Sequence, residues 1–225
     1  GSAIGAAMAG DLLTLFVFWE LMAIGSTLVL WSGGASRASF RYLMVHLFGG
    51  VLLMAGIAGH VADTGSVEFT RMALDTPWHW LMLAGFLVNA GAPPLSAWLP
   101  DAYPEASWSG MVFLSAFTTK TAVYVLLRGF PGNEILIWIG VFMIFYGIIY
   151  ALLENDMRRI LAYSIVNQVG FMVTGAGIGS EMAISGAAAH AFTHIIYKAL
   201  LLMSAGSVLY MTGRRKCTDL GGLFQ

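Results

Sequence analysis

The chain has 225 residues, of which 58% are hydrophobic and only 10% charged, and its mean hydropathy is +0.78. Soluble domains average about 25% charged residues, so an ordinary soluble protein is excluded. A formal net charge of −1 argues against a nucleic-acid partner. The single cysteine, Cys217, excludes an internal disulfide and a multi-cysteine metal site.

A helix needs roughly 20 mostly apolar residues to cross a bilayer. Residues 3–10 read as the end of one span, and seven complete candidates follow. They lie at about 11–31, 42–59, 78–100, 108–128, 135–153, 159–178 and 182–211. The runs are continuous and too long for barrel strands. The expected fold is therefore an all-α polytopic transmembrane bundle, forming a single transmembrane domain over 1–225. No basic n-region with a small-residue cleavage site opens the chain. It begins without Met and stops at Gln225 after a helix and a loop, so a fragment of a longer bundle is expected.

The first complete span holds one ionisable residue between Leu12 and Leu30, Glu20. The second holds His46, read as a packing or interfacial residue, and ends at His60; His79 opens the third, and both end histidines read as interfacial. The third span contains Asn89 and then Pro93 and Pro94. Consecutive prolines lack amide donors and clash with the preceding turn, so this helix must kink or break. At bilayer depth a break is tolerated where the freed backbone lines a cavity or packs on protein, and broken helices mark ion sites in transporters. A plain proline kink is the competing reading; the neighbouring Asn89 favours the ion site.

Lys120 lies mid-span among Thr118, Thr119 and Thr121. Asn167 and Gln168 add neutral polar groups to the sixth candidate. His190, His194 and Lys198 follow at four-residue spacing in the seventh. Each such step rotates about 40°, so the three line one stripe of their helix. A zinc site on the two histidines lacks an obvious third ligand, and Lys198 would repel the cation; no metal and no cofactor are expected.

Lys and Arg sort unevenly between alternate loops. Arg37, Arg41, Arg158, Arg159, Arg214, Arg215 and Lys216 fall on one side, against Arg71 and Arg128 on the other. The positive-inside rule makes the first side cytoplasmic. Trp78, Trp80, Trp98, Trp108 and Trp138 fall near span ends, as interfacial aromatics do.

Ionisable groups within spans are costly, at least roughly 2.5–3.5 kcal/mol each on insertion scales. One reading of Glu20 and Lys120 is a static buried ion pair that fixes helix packing. The other is a chain of protonatable groups across the bundle, in which imidazole shuttles protons through its two nitrogens. No nucleophile–base constellation or phosphate-binding glycine loop appears, so no catalytic chemistry is expected in the chain itself.

Five stretches sharpen the choice: DLLTLFVFWELM (11–22), AWLPDAYPEA (97–106), TKTAVYVLLR (119–128), ENDMRRILAYSIVNQVGF (154–171) and GAAAHAFTHIIYKALLLMSAG (186–206). In this order and spacing they resemble the antiporter-like subunits shared by respiratory complex I, Mrp-type cation/proton antiporters and membrane-bound hydrogenases. The PEA after LPDAY and the HxxxHxxxK pattern resemble the Mrp D-type subunit most.

The resemblance implies an inverted-repeat architecture, with 1–128 forming most of the first repeat and 133–225 the front of the second. It implies a proton relay of Glu20, Lys120, His190, His194 and Lys198, and partners among the other membrane subunits of one complex. The lipid bilayer, protons and Na⁺ or K⁺ complete the expected surroundings, in the inner or plasma membrane of a prokaryote-like cell. Two other readings go with it: a proton-pumping subunit of a complex I-like oxidoreductase or hydrogenase, and a structural subunit without transport. One position departs from the pattern. The family usually places a lysine before the break of the broken helix, where this chain has Asn89.

Overall fold

The computed structural model describes residues 1–222, and among these the regular structure is helical, with two isolated β-bridges, Asp11–Glu68 and Asp156–Lys216. The helices are α1 (Ser2–Met8), α2 (Leu12–Ser32), α3 (Ser36–Thr64), α4 (Pro77–Ala90), α5 (Trp98–Ala102), α6 (Gly110–Gly129), α7 (Glu134–Leu153), α8 (Met157–Ile178) and α9 (Glu181–Thr212). Their starts are chemically marked. The Asp11 carboxylate accepts the Thr14 N–H at 2.8 Å, and Thr76, Asp156 and Ser180 cap α4, α8 and α9 in the same manner. Each satisfies backbone donors that a helix start leaves free.

Six helices are long and apolar enough to cross a membrane: α2, α3, α6, α7, α8 and α9. The hydropathy pattern predicts seven complete spans, and the third, 78–100, does not form as one continuous helix but is broken, as its two prolines predict. Its helix, α4, stops after 14 residues at Ala90. At 1.5 Å per residue such a helix rises about 21 Å, short of a hydrocarbon core about 30 Å thick. Gly91, at φ 76°, turns the chain out of the helix, and Pro93 and Pro94 follow, joined by a cis peptide. Regular helix resumes only in the short α5.

Burial separates the spans into inner and outer ones. In the apolar stretches of α6 and α8, 67% and 61% of residues are buried, against 22% in α7 and α9. Phe142, Phe145, Leu152, Phe192, Ile196 and Leu200 stand exposed on those two outer helices, an apolar outer face that a bilayer solvates. α7 and α8 approach closely along small residues. A Cβ added to Gly170 would lie 2.7 Å from the Gly140 carbonyl oxygen, the close backbone packing that small residues permit in membranes.

The two ends of the bundle are fastened differently. At the arginine-rich end, Arg41 grips Asp101 through Nε and Nη2 at 2.7 and 2.8 Å, Arg215 pairs with Asp156 and Glu105, and Arg159 with Glu154. The acidic residues of LPDAYPE are thus the anchors of the segment that follows the break. Burial pushes the Glu154 carboxyl up, but the amides of Asn155 and Asp156 and the Arg159 guanidinium outweigh it and hold the group below the usual range. At the opposite end Arg128 donates to the carbonyls of Ala9 and Phe69, and Arg71 to that of Pro131.

Candidate functional site

The expected site residues separate into two groups, one around the helix break and one around α6. Glu20 projects from α2 onto α3, where its carboxylate lies against the backbone of Gly50; a Cβ there would overlap it. Its Oε1 is buried without a hydrogen-bond partner in the protein. The preceding residue, Trp19, packs edge-on against Phe86 of α4. One turn before Gly50, on the same buried face of α3, lies His46.

His46 is 1% exposed. This corrects the interfacial half of its reading and agrees with the packing half, and it adds a polar partner: its Nδ1 lies 2.7 Å from Oδ1 of the fully buried Asn89. Oδ1 is an acceptor, so the ring donates its Nδ1–H, and Nε2 remains buried without a protein partner. The imidazole is also enclosed by aromatic rings, with Tyr42 at 4.0 Å and Trp98 at 4.5 Å between centroids. Trp98 is therefore a second correction. It is buried, not interfacial, and its indole N–H donates to the Val88 carbonyl at 2.9 Å.

That bond is part of how the break is closed. The Ala92 amide reaches the Leu87 carbonyl, and the Leu95 amide the Ala92 carbonyl. Protein donors thus take up carbonyls that the interrupted ladder frees, as burial of polar backbone requires.

From Tyr42 the polar groups lead to α6. The Tyr42 hydroxyl lies 3.4 Å from Thr118 Oγ1, which Ser26 of α2 also approaches, at 3.5 Å. Next to Thr118, Thr119 accepts a hydrogen bond from Lys120 Nζ at 3.1 Å, and the Ser115 carbonyl accepts another at 3.0 Å. Lys120 also lines a cavity of about 240 Å³ with residues of α1, α6 and α9.

α9 brings its stripe to this region. His194 and Lys198 are buried and His190 is partly so, with the two imidazoles 6.2 Å apart and stacked. Ile195, next to His194 on α9, lines the same cavity as Lys120. Lys198 Nζ donates to Ser164 Oγ of α8 at 2.8 Å, while both His194 nitrogens and His190 Nε2 have no protein partner.

Asn167 and Gln168 form a different contact. Asn167 donates to the Ile144 carbonyl of α7 and accepts from Gln168, whose Oε1 accepts the Tyr197 hydroxyl. They tie α7, α8 and α9 together. His60 and His79, expected at span ends, form a pair at 3.0 Å, and His79 Nδ1 also reaches Asp75 at 2.9 Å.

Ion pairing is confined to helix ends and loops among the described residues, and none joins Glu20, Lys120 or Lys198 to an opposite charge. The groups that sequence reasoning missed are His46, Tyr42 and Ser164. For the first two a signal existed: Tyr42, His46 and Gly50 recur at four-residue spacing, a stripe of α3 as regular as that of α9.

Polar and ionisable side chains thus run through the interior of an otherwise lipid-facing helical bundle, beside a helix interrupted in mid-span. This defines the class as a polytopic membrane protein with an intramembrane titratable axis. The family described as NADH:quinone oxidoreductase/Mrp antiporter, transmembrane, matches residues 9–225, and the chain belongs to it. It is 33% identical to the D-type subunit of the Na(+)/H(+) antiporter of Alkalihalophilus pseudofirmus, covering 98% of this chain and 49% of that protein. It is 31% identical to the N-type subunit of the NADH-quinone oxidoreductase of Desulforudis audaxviator, with 98% and 48% covered. A chain of the Mrp complex from Dietzia sp. superposes with a TM-score of 0.83 at 27% identity, over 92% of this chain and 43% of that one. The chain spans about half the length of the curated relatives it matches.

Proposed function

We propose that the chain is part of a proton-translocating membrane subunit of a monovalent cation/proton antiporter complex. Glu20, Lys120, His190, His194 and Lys198 form its proton relay. The observation that supports this reading most directly is the unpaired state of the buried ionisable groups. A static packing device needs its charges matched, because an unmatched buried charge is strongly destabilising. Here Lys120 and Lys198 bond only to hydroxyls and a carbonyl, and Glu20 Oε1 has no partner in the chain. Groups so placed exchange protons with one another, each ionisation biasing the next.

The relay begins at Glu20, which packs onto α3 and is only partly enclosed by this chain, so that a neighbouring membrane subunit completes its surroundings. It passes the break at Asn89, Pro93 and Pro94 to Lys120 and continues along the α9 stripe into the second repeat, with the repeats divided between 128 and 133. Asn167 and Gln168 hold the helices that border it. Loops near 37, 158 and 214 face the cytoplasm, and Na⁺ or K⁺ is the exchanged ion.

The test uses the complete antiporter complex in everted vesicles, with transport followed by a pH-sensitive dye. Glu20→Gln and Lys120→Ala are each expected to slow proton movement about 100-fold, the scale of a lost proton-transfer group. Undiminished transport in both assembled variants would overturn the relay.

A further inference from the structure

Between Glu20 and Lys120 the relay crosses the helix break, and Asn89, the polar group on the broken helix, is an amide that exchanges no proton at accessible pH. We propose that His46 is the proton-carrying residue at the break, a switchable cation one helical turn from the Glu20 carboxylate, with Asn89 as the positioning residue that holds its ring. The proposal rests on the relay described above and adds a residue to it.

Four observations support it. First, His46 is buried in mid-bundle with a side-chain partner that fixes one nitrogen and leaves the other open. A buried nitrogen without a protein partner costs free energy unless a further group meets it, and on an imidazole that group can be a proton. Second, Glu20 Oε1, one of several orphaned atoms here with Trp19 Nε1, Asn89 Nδ2 and Ser96 Oγ, lies against Gly50, one turn from His46 on the same face of α3. Gly50 is required there because any side chain would displace the carboxylate. Third, the onward contacts exist: the His46 ring packs against Tyr42, whose hydroxyl approaches Thr118, beside Thr119 and Lys120. Fourth, the carbonyls at the edge of the break are taken by Trp98, Gly91 and Ala92 donors, which leaves side chains to carry a proton there; of the unpartnered ones, Ser96 and Asn89 are neutral at accessible pH and His46 is the group that titrates.

The proton step is simple to balance. Neutral His46 keeps Nδ1–H bonded to Asn89 Oδ1 and presents a lone pair at Nε2. Nε2 accepts a proton and the ring becomes imidazolium, with the Asn89 bond unchanged; release of that proton restores the neutral ring. The polar groups touching it are Tyr42 from α3 itself, and Asn89 and Trp98 from the two sides of the break; the Glu20 carboxylate of α2 lies against Gly50, one helical turn away. Alternation between the two charge states would couple the carboxylate of α2 to the ammonium of α6 without a permanent ion pair.

The experiment extends the vesicle assay on the complete complex to His46→Ala, His46→Gln and the double variant His46→Ala with Asn89→Lys, with assembly checked by native electrophoresis. His46→Gln keeps an amide donor toward Asn89 but no titration, and covers the case in which alanine is not tolerated. The expected result is a loss in both single variants matching that of Lys120→Ala, about 100-fold, and recovery of at least about a tenth of native transport in the double variant. A purely structural role predicts no recovery, because lysine does not restore an imidazole's packing. Native transport in His46→Gln, or no recovery in an assembled double variant, would overturn the proposal. The controls separate the two ideas: if Glu20→Gln and Lys120→Ala lose transport while His46→Gln retains it, only His46 is removed from the relay.

Discussion

Around the helix break the interior holds a carboxyl group, an imidazole and an amide; around α6 it holds two ammonium groups and two imidazoles. The first region has a potential anion and no lysine, the second has potential cations and no carboxylate. Both avoid contact ion pairs, but by different means. Lys120 and Lys198 are solvated by threonine and serine hydroxyls and a backbone carbonyl, which accept from an ammonium whatever its neighbours do. The Glu20 carboxylate lies against the backbone of a glycine, and its buried Oε1 has no hydrogen-bond partner in the protein. The contrast teaches that the lysines are housed by their own helices and α8, whereas Glu20 Oε1 has no polar partner from the chain.

The contrast can be broken from either side. The largest effect is expected from Lys120→Glu, which puts a carboxylate into the cationic region; proton transport should fall at least about 100-fold, read as dye response in vesicles carrying the assembled complex. Gly50→Val should come next. It fills the space occupied by the Glu20 carboxylate and should slow transport about tenfold or more, while thermal unfolding shifts by about 1–3 kcal/mol. The corresponding overpacking away from the axis, Gly170→Leu at the α7–α8 seam, should cost about 1–3 kcal/mol of stability and leave the transport rate per assembled complex unchanged. Loss of transport there would show that the seam and the axis are not separable.

Smallest is Asp11→Ala, which removes the α2 cap and should cost about 1 kcal/mol. The Thr14 amide holds the Asp11 carboxyl below its ordinary value. The cap's contribution is therefore complete above that ordinary value and is lost as pH falls through the lowered one. Native and variant thermal stabilities should converge in acid, with the difference restored near neutral pH.

Much of this arrangement is legible in the sequence, because membrane spans are long and any charge within them is conspicuous. Glu20, Lys120 and the α9 stripe stand out on that ground, and Pro93 and Pro94 announce the break. The span count errs at that same break, because hydropathy averages over 78–100 without sensing where the helix ends. His46 escapes for a different reason. A single histidine in a glycine-rich span carries no periodic partner of its own type, and its meaning comes from Asn89, 43 positions away. Trp98 misleads because an indole beside a polar segment marks an interface as readily as it closes a broken ladder.

The two ends of the bundle answer differently to ionic strength. At the arginine-rich end the fastening is by exposed ion pairs, Arg41–Asp101 and Arg215–Glu105, on the segment that follows the break. At the other end Arg128 and Arg71 hold neutral carbonyls. Dissolved salt screens exposed charges over a Debye length of about 8 Å under physiological conditions and acts less on bonds to neutral acceptors. A rise in ionic strength therefore weakens the fastening of the segment after the break at the arginine-rich end more than it weakens the opposite end of the bundle.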